Sequence, residues 1–188
     1  MANMSLTEII ELSVRQGQAF EASREVVLAS NASALTLFVT GDNPVILYRR
    51  NIGYNGVGVN AFAYRSPVIT SMGTLETTTR NSNDINPKAP GVEIYAAPAV
   101  SSKGVETRAP KYLFASESNQ SAGQLSTTIE TPQLILPNTT ILLEIKNRDA
   151  NAVQTVTAEL LWCEPDRIQG LVIKDGVFFA YNGDEFLS

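Results

Sequence analysis

The stretch from Leu134 to Glu164, LILPNTTILLEIKNRDANAVQTVTAELLWCE, limits the fold more than any other part of the chain. Ile141, Leu143 and Ile145 alternate with Leu142, Glu144 and Lys146. After the polar run Asn147-Arg148-Asp149-Ala150-Asn151, a second alternation sets Val156, Ala158, Leu160 and Trp162 on one face. Gln154, Thr155, Thr157 and Glu159 are their mostly polar neighbours. A period of two gives a strand one buried face and one face turned to water or a partner. Pro137-Asn138, just ahead, is turn chemistry. The two runs are expected to form a β-hairpin with a broad polar turn, against which the upstream strands lie.

Upstream, residues 1–16 read as a short helix or an extended arm. Ser5-Leu6-Thr7-Glu8 fits a capping box, yet Ile10, Leu12 and Val14 also alternate as a strand would. Gln16-Gly17 turns the chain, and a strand starts at Phe20. Glu25–Ala29, Leu35–Thr40, Val45–Arg50, Val57–Tyr64 and Val68–Leu75 read as strands, rich in β-branched residues. Gly41-Asp42-Asn43-Pro44 and Asn55-Gly56 predict hairpins, since Asn-Gly accepts positive φ. Residues 76–91 form a long polar loop broken by Pro87, Pro90 and Gly91. A loop of that length is usually functional or mobile. Val92–Ala96 is a short strand, and Lys111–Phe114 is another inside a second excursion from Ser101 to Thr128. After Pro165, Leu171–Lys174, Asp175-Gly176 and Val177–Tyr181 predict a compact hairpin. Its apolar side chains must pack on the domain or on another subunit, because a lone two-stranded hairpin is marginal in water.

The chain of 188 residues is 44% hydrophobic, enough for one β domain with a core. Its net charge of −5 argues against sequence-independent nucleic-acid binding and against docking on anionic lipid. No apolar run approaches the roughly 18 residues of a membrane helix, and the first residues lack the basic region of a signal peptide. There is no histidine, which removes Ser-His-Asp and Cys-His catalysis and most zinc sites. Cys163, the one cysteine, is read as a buried strand residue. Asp42, Asp84, Asp149, Asp166, Asp175 and Asp184 sit beside turn residues and are read as turn formers. Calcium would need about six to eight oxygens, and no DxDxDG run supplies them. Gly53-Tyr54-Asn55-Gly56-Val57-Gly58 has neither phosphate-loop nor dinucleotide spacing. Arg49-Arg50 with Tyr48 and Tyr54 is a candidate recognition patch, or a solvated strand end. The expectation is therefore no catalytic residues, no metal, no cofactor, and a binding protein rather than an enzyme.

Three segments carry a resemblance. They are Gly17-Gln18-Ala19-Phe20, then Ala34–Val39 with Gly41-Asp42-Asn43-Pro44-Val45, then Leu136-Pro137-Asn138-Thr139-Thr140 running to Leu161-Trp162-Cys163-Glu164. Together they resemble the small jelly-roll decoration (cement) proteins of tailed bacteriophages. The likeness spans roughly residues 16–164 and leaves out 76–91 and 165–188. It implies a jelly-roll-like β-sandwich over residues 17–164; with the readings of the two ends given above, the chain is expected to be all-β, with an N-terminal arm or short helix over 1–16 and a C-terminal β-hairpin extension over 165–188. It further implies a virion protein on the outer capsid surface, made in the host cytoplasm. Such a protein is a homo-oligomer, a trimer by preference, that bridges and stabilises the major capsid protein without nucleic acid or membrane. Similar jelly rolls occur in tail fibres and baseplates, so a receptor- or glycan-binding head is the alternative.

Overall fold

The alternating runs become two antiparallel sheets, though not through the hairpins that local sequence favours. The computed structural model describes residues 6–107, 110–114, 125–129, 132–165, 172–174 and 177–179. One helix, α1 (Leu6–Arg15), precedes the long strands β1 (Ala19–Leu28), β2 (Ser33–Val39), β3 (Val45–Tyr54) and β4 (Gly58–Arg65). Short strands follow: β5 (Val68–Ser71), β6 (Thr74–Leu75), β7 (Arg80–Asn81), β8 (Glu93–Ala96), β9 (Ala99–Ser102), β10 (Val105–Glu106) and β11 (Lys111–Phe114). Next come β12 (Leu125–Ile129), β13 (Gln133–Ile135), β14 (Thr140–Asn147) and β15 (Gln154–Cys163). Last are β16 (Val172–Lys174) and β17 (Val177–Phe179), which pair antiparallel with each other.

The first sheet runs β12-β3-β15-β1-β7, with β13 also beside β3. The second runs β10-β4-β14-β2-β8-β6, with β11 also beside β4. Strands β1 and β2 therefore lie in different sheets, and so do β2 and β3, β3 and β4, and β14 and β15. Each of these connections is an arch across the sandwich. This corrects three expected hairpins, at Gly41–Pro44, at Asn55-Gly56 and at Asn147–Asn151. The Asn55-Gly56 turn shows why. Asn55 continues the β3–β15 ladder, donating its N–H to Thr155 O at 3.2 Å and accepting from Thr155 N at 2.6 Å through Oδ1. Gly56, at φ +114°, then swings the chain into the other sheet. The positive φ anticipated at the glycine is there, but it serves a crossing rather than a two-residue hairpin.

Between the sheets lie two apolar clusters. The larger holds Phe20, Phe38, Val45, Leu47, Ile94, Ile141 and Trp162. Trp162 is fully buried, stacked on Phe20 at 5.9 Å and edge-on to Phe38 at 5.5 Å. The second cluster holds Leu28, Ile52, Tyr54, Val59, Leu113 and Val156. Trp162 and Val156 thus share the interior face foreseen from alternation. The opposite face of β14 is largely covered as well: Leu142 and Glu144 are buried there, while Lys146 is exposed.

Helix α1 resolves the ambiguity at the start of the chain. Leu6, Ile9 and Val14 pack against Ala19, Ile46 and Cys163 on the outer face of the first sheet. The capping residue Ser5 lies outside the described residues. The polar loop over 76–91 is tied down at several points. Asn83 donates to the carbonyls of Val14 and Arg15, closing the end of α1. Asn81 donates to Gly17 O at 2.7 Å and Lys88 O at 3.0 Å. Within the loop, β7 pairs with β1. Asparagine supplies both the donor and the acceptor such a turn-rich segment needs in place of a ladder.

Candidate functional site

The residues singled out from sequence do not converge. Arg49 is exposed, whereas Arg50 opposes Leu160 in the β3–β15 register and shares its interior face. Tyr48 packs toward the helix cluster on the outside of the sheet, and Tyr54 is buried inside it. The four side chains are thus divided between two faces and make no single patch. Cys163 is fully buried, and burial foremost pushes its thiol up to about 11, with Glu164 adding to the rise and Ser13 opposing it. Asp149 is a turn former: its Oδ1 accepts from the backbone N–H of Asn151 at 2.8 Å and of Ala152 at 3.0 Å. Asp42 and Asp84 are exposed. Asp166, Asp175 and Asp184 lie outside the described residues. Among the described residues, no three His, Cys, Asp or Glu side chains gather as metal ligands, and no helix is long and apolar enough to cross a membrane.

What the sheets do create is a cavity of about 110 Å³ at the boundary of the two apolar clusters. Its wall is made by small residues at inward positions of the facing strands. Ala22 comes from β1, Ala34 from β2, Ala61 and Ala63 from β4, and Ala158 from β15. Val26, Ile52, Ile94, Leu143, Ile145 and Leu160 add to the apolar lining. Alanine at these sites leaves the two sheets without side chains long enough to meet.

Charged residues stand at both ends of the cavity. At the β1–β2 side, Arg24 occupies an inward position between Ala22 and Val26. Its Nη1 donates to Thr36 Oγ1 at 3.2 Å, and its Nε lies 3.4 Å from Glu76 Oε1. At the β3–β4 side, Arg50 comes from the first sheet and Lys111 from the second. Lys111 opposes Ala61 in the β11–β4 register, so it shares the interior face. Reading β1 as beginning at Phe20 put Arg24 in phase with Phe20, Ala22, Val26 and Leu28. That phase was the available signal for an inward arginine. The cavity itself had no signal, because an alanine in a strand pattern looks like any other apolar position.

Three buried polar centres brace the walls. Glu144 accepts from Lys103 Nζ at 2.7 and 2.8 Å and from Tyr64 OH at 3.0 Å, fastening the segment after β9 to the second sheet. Glu164 accepts from Trp162 Nε1, Gly91 N and Val92 N. Asn147 and Gln154 form the third centre. Asn147 donates to the carbonyls of Leu28, Ala29 and Ala152 and accepts from Gln154 Nε2 at 2.6 Å, closing one end of the sandwich.

Compared with family models and with curated proteins, the sequence matches none.

Proposed function

We propose that the chain is a structural virion protein. On this reading it decorates the outer surface of a bacteriophage capsid and stabilises it by bridging neighbouring subunits of the major capsid protein. The observation that carries the reading is the strand order. Taking β1, β2, β3, β4, β10 with β11, β12 with β13, β14 and β15 as eight successive strands, one sheet reads first-eighth-third-sixth and the other second-seventh-fourth-fifth. More plainly, β15 sits between β1 and β3, and β14 between β2 and β4. Such interleaving is what a chain folded double and rolled up as a pair of Greek keys would have, and it supports the jelly-roll reading. The resemblance carried by Gly17–Phe20, Ala34–Val45 and Leu136–Glu164 points to decoration proteins within that architecture.

Bridging works by burying surface between neighbours, at about 25 cal/mol per Å² of apolar area before association costs are subtracted. A homotrimer presents the same face to several subunits at once. Catalysis has no part in the reading, since the chain has no histidine to serve as a base beside a nucleophile.

Immunogold labelling of purified particles, together with light scattering of the isolated protein, tests the proposal. Gold over the capsid surface and a trimer in solution are the expected results. Labelling confined to the tail, with saturable binding on a glycan array, would replace this reading with a receptor-binding head. Deleting residues 166–188 asks whether the C-terminal extension is an intermolecular clasp. The expected outcome is a domain that still melts cooperatively but no longer binds particles.

A further inference from the structure

We propose that the ribbon of β5 and β9 is a strap latched by Lys103, and that it opens as a unit while the two sheets stay paired. Three successive pairings, β4 with β10, β5 with β9 and β6 with β8, make one long antiparallel ribbon. Its two ends belong to the second sheet, where β14 and β2 separate β4 from β8. The middle section must therefore span β14 and β2, and it does so on the outer side of the sheet. Near one end Lys103 Nζ reaches Glu144 at 2.7 Å, on the face of β14 that turns away from the core. At the other end Ala97 N donates to Leu35 O at 3.1 Å. Leu37 and Leu142 oppose each other on that outer face, and both are fully buried. Pro67, Ile69, Pro98 and Val100 alternate with exposed residues along the ribbon and form its covered underside.

The ribbon is weakly held along its length and jointed at its ends. Each strand is four residues long, and the register slips twice between them. Val68, Ser71, Ala99 and Ser102 are exposed. Segments with few buried contacts are the ones that open at the lowest free energy. All four strand ends carry left-handed backbone. Ser66 and Gly104 stand at one end, Gly73 and Ala97 at the other, with φ from +49° to +86°. Joints at the ends of elements absorb the dihedral changes of a hinge. The latch is polar. Lys103 Nζ donates to both oxygens of the buried Glu144, at 2.8 and 2.7 Å, and stands 5.8 Å from the centre of the Tyr64 ring. Tyr64 and Ser33 also bond to that carboxylate, so it keeps partners when the lysine leaves. Opening uncovers Leu37 and Leu142, an apolar strip that the closed molecule hides.

Native-state hydrogen exchange on the full chain tests the proposal. In low urea, the paired amides of β5 and β9 should exchange together, through an opening that denaturant hardly accelerates. Amides of β14 and β15 should exchange only through global unfolding, with its steep dependence on urea. Lys103→Met keeps the stem and removes the charge. It should speed exchange in β5 and β9 about tenfold or more, beyond any change in β15. Leu142→Cys adds a second readout, with Cys163 as the internal standard for global opening. The new thiol should react with a thiol reagent under native conditions, well ahead of Cys163. Should Leu142→Cys fail to fold, exchange in the unaltered chain and in Lys103→Met decides alone. Exchange of β5 and β9 only in step with β15 overturns the proposal. So does labelling of both thiols at one rate in folded Leu142→Cys. Ribbon amides without any protection overturn it too, since the strap would then not be closed. Unchanged exchange in folded Lys103→Met removes Lys103 as the latch.

Discussion

The indole N–H of Trp162 donates to Glu164 Oε1 at 2.8 Å, two residues further along the chain and on the same side of it. The same carboxylate receives Gly91 N at 2.7 Å on its other oxygen and Val92 N at 3.2 Å. One acidic side chain thus joins a fully buried ring of the core to the end of the long polar loop. Glu164→Ala leaves three buried donors without an acceptor and should cost about 3 kcal/mol or more. Glu164→Gln keeps one acceptor oxygen and should cost less. Urea unfolding of both variants measures the difference. Equal losses would mean that the carboxylate is dispensable to the donors around it.

Trp162→Ala should destabilise the fold by about 3–5 kcal/mol, because it removes a fully buried ring in contact with Phe20 and Phe38. Lys146→Ala, at an exposed position on β14, should cost well under about 1 kcal/mol. The two unfolding midpoints compare these directly.

The Glu144 carboxyl sets a pH dependence. Burial works to raise its pKa, but hydrogen bonds from Lys103, Ser33 and Tyr64, with the lysine charge, outweigh burial and hold it below the ordinary value of 4.5. A carboxyl depressed on folding stabilises the native state above its unfolded pKa, and that stabilisation is lost as pH falls through the lower folded value. Stability should therefore decline as the solution is acidified below about pH 4.5, the unperturbed value. In Glu144→Gln this part of the decline should be missing, with lower stability at neutral pH. Melting temperatures of both proteins between neutral and acid pH supply the check.

Cys163 should resist thiol reagents in the native protein. Its thiol is buried and pushed up to about 11, so at pH 8 only about one molecule in a thousand carries the thiolate. Modification should follow the opening of the structure, and it should accelerate steeply as denaturant is added. Rapid labelling under native conditions would place the thiol in contact with solvent.

Gly17→Ala should loosen the loop over 81–88 from the helix. Gly17 adopts φ +68°, and a Cβ there would lie 2.0 Å from Asn86 O. Strain and collision together should cost more than about 1 kcal/mol. Amide exchange should quicken around Asn81, Asn83 and Asn86 before it changes in β14 or β15.

Alternation told which side chains turn inward, since Val156 and Trp162, like Phe20 and Leu28, keep the phase their spacing implies. It did not tell which strands are neighbours. A hairpin and an arch bury the same alternating face, so Ile141 and Val156 satisfy either equally well. Asn55-Gly56 provides the backbone freedom that both connections use. The decision lies in pairings remote in sequence, such as β15 with β1, and no local pattern records those. Glu144 and Glu164 were hidden for a related reason. A carboxylate in a strand looks solvated until its donors, here Lys103 and the Gly91–Val92 backbone, arrive from elsewhere.

Because β15 is inserted between β1 and β3, the first sheet has no centre until residues 154–163 arrive. During synthesis, β1 and β3 leave the ribosome with their inner edges unpaired, and the chain-entropy cost of distant closure must be met before those edges are satisfied. At the roughly 5–20 residues per second of translation, this leaves exposed strand edges for seconds, long enough for chaperones or neighbouring copies to compete for them. A stop codon just ahead of β15 should therefore yield an aggregating product, even though most of the chain has been made.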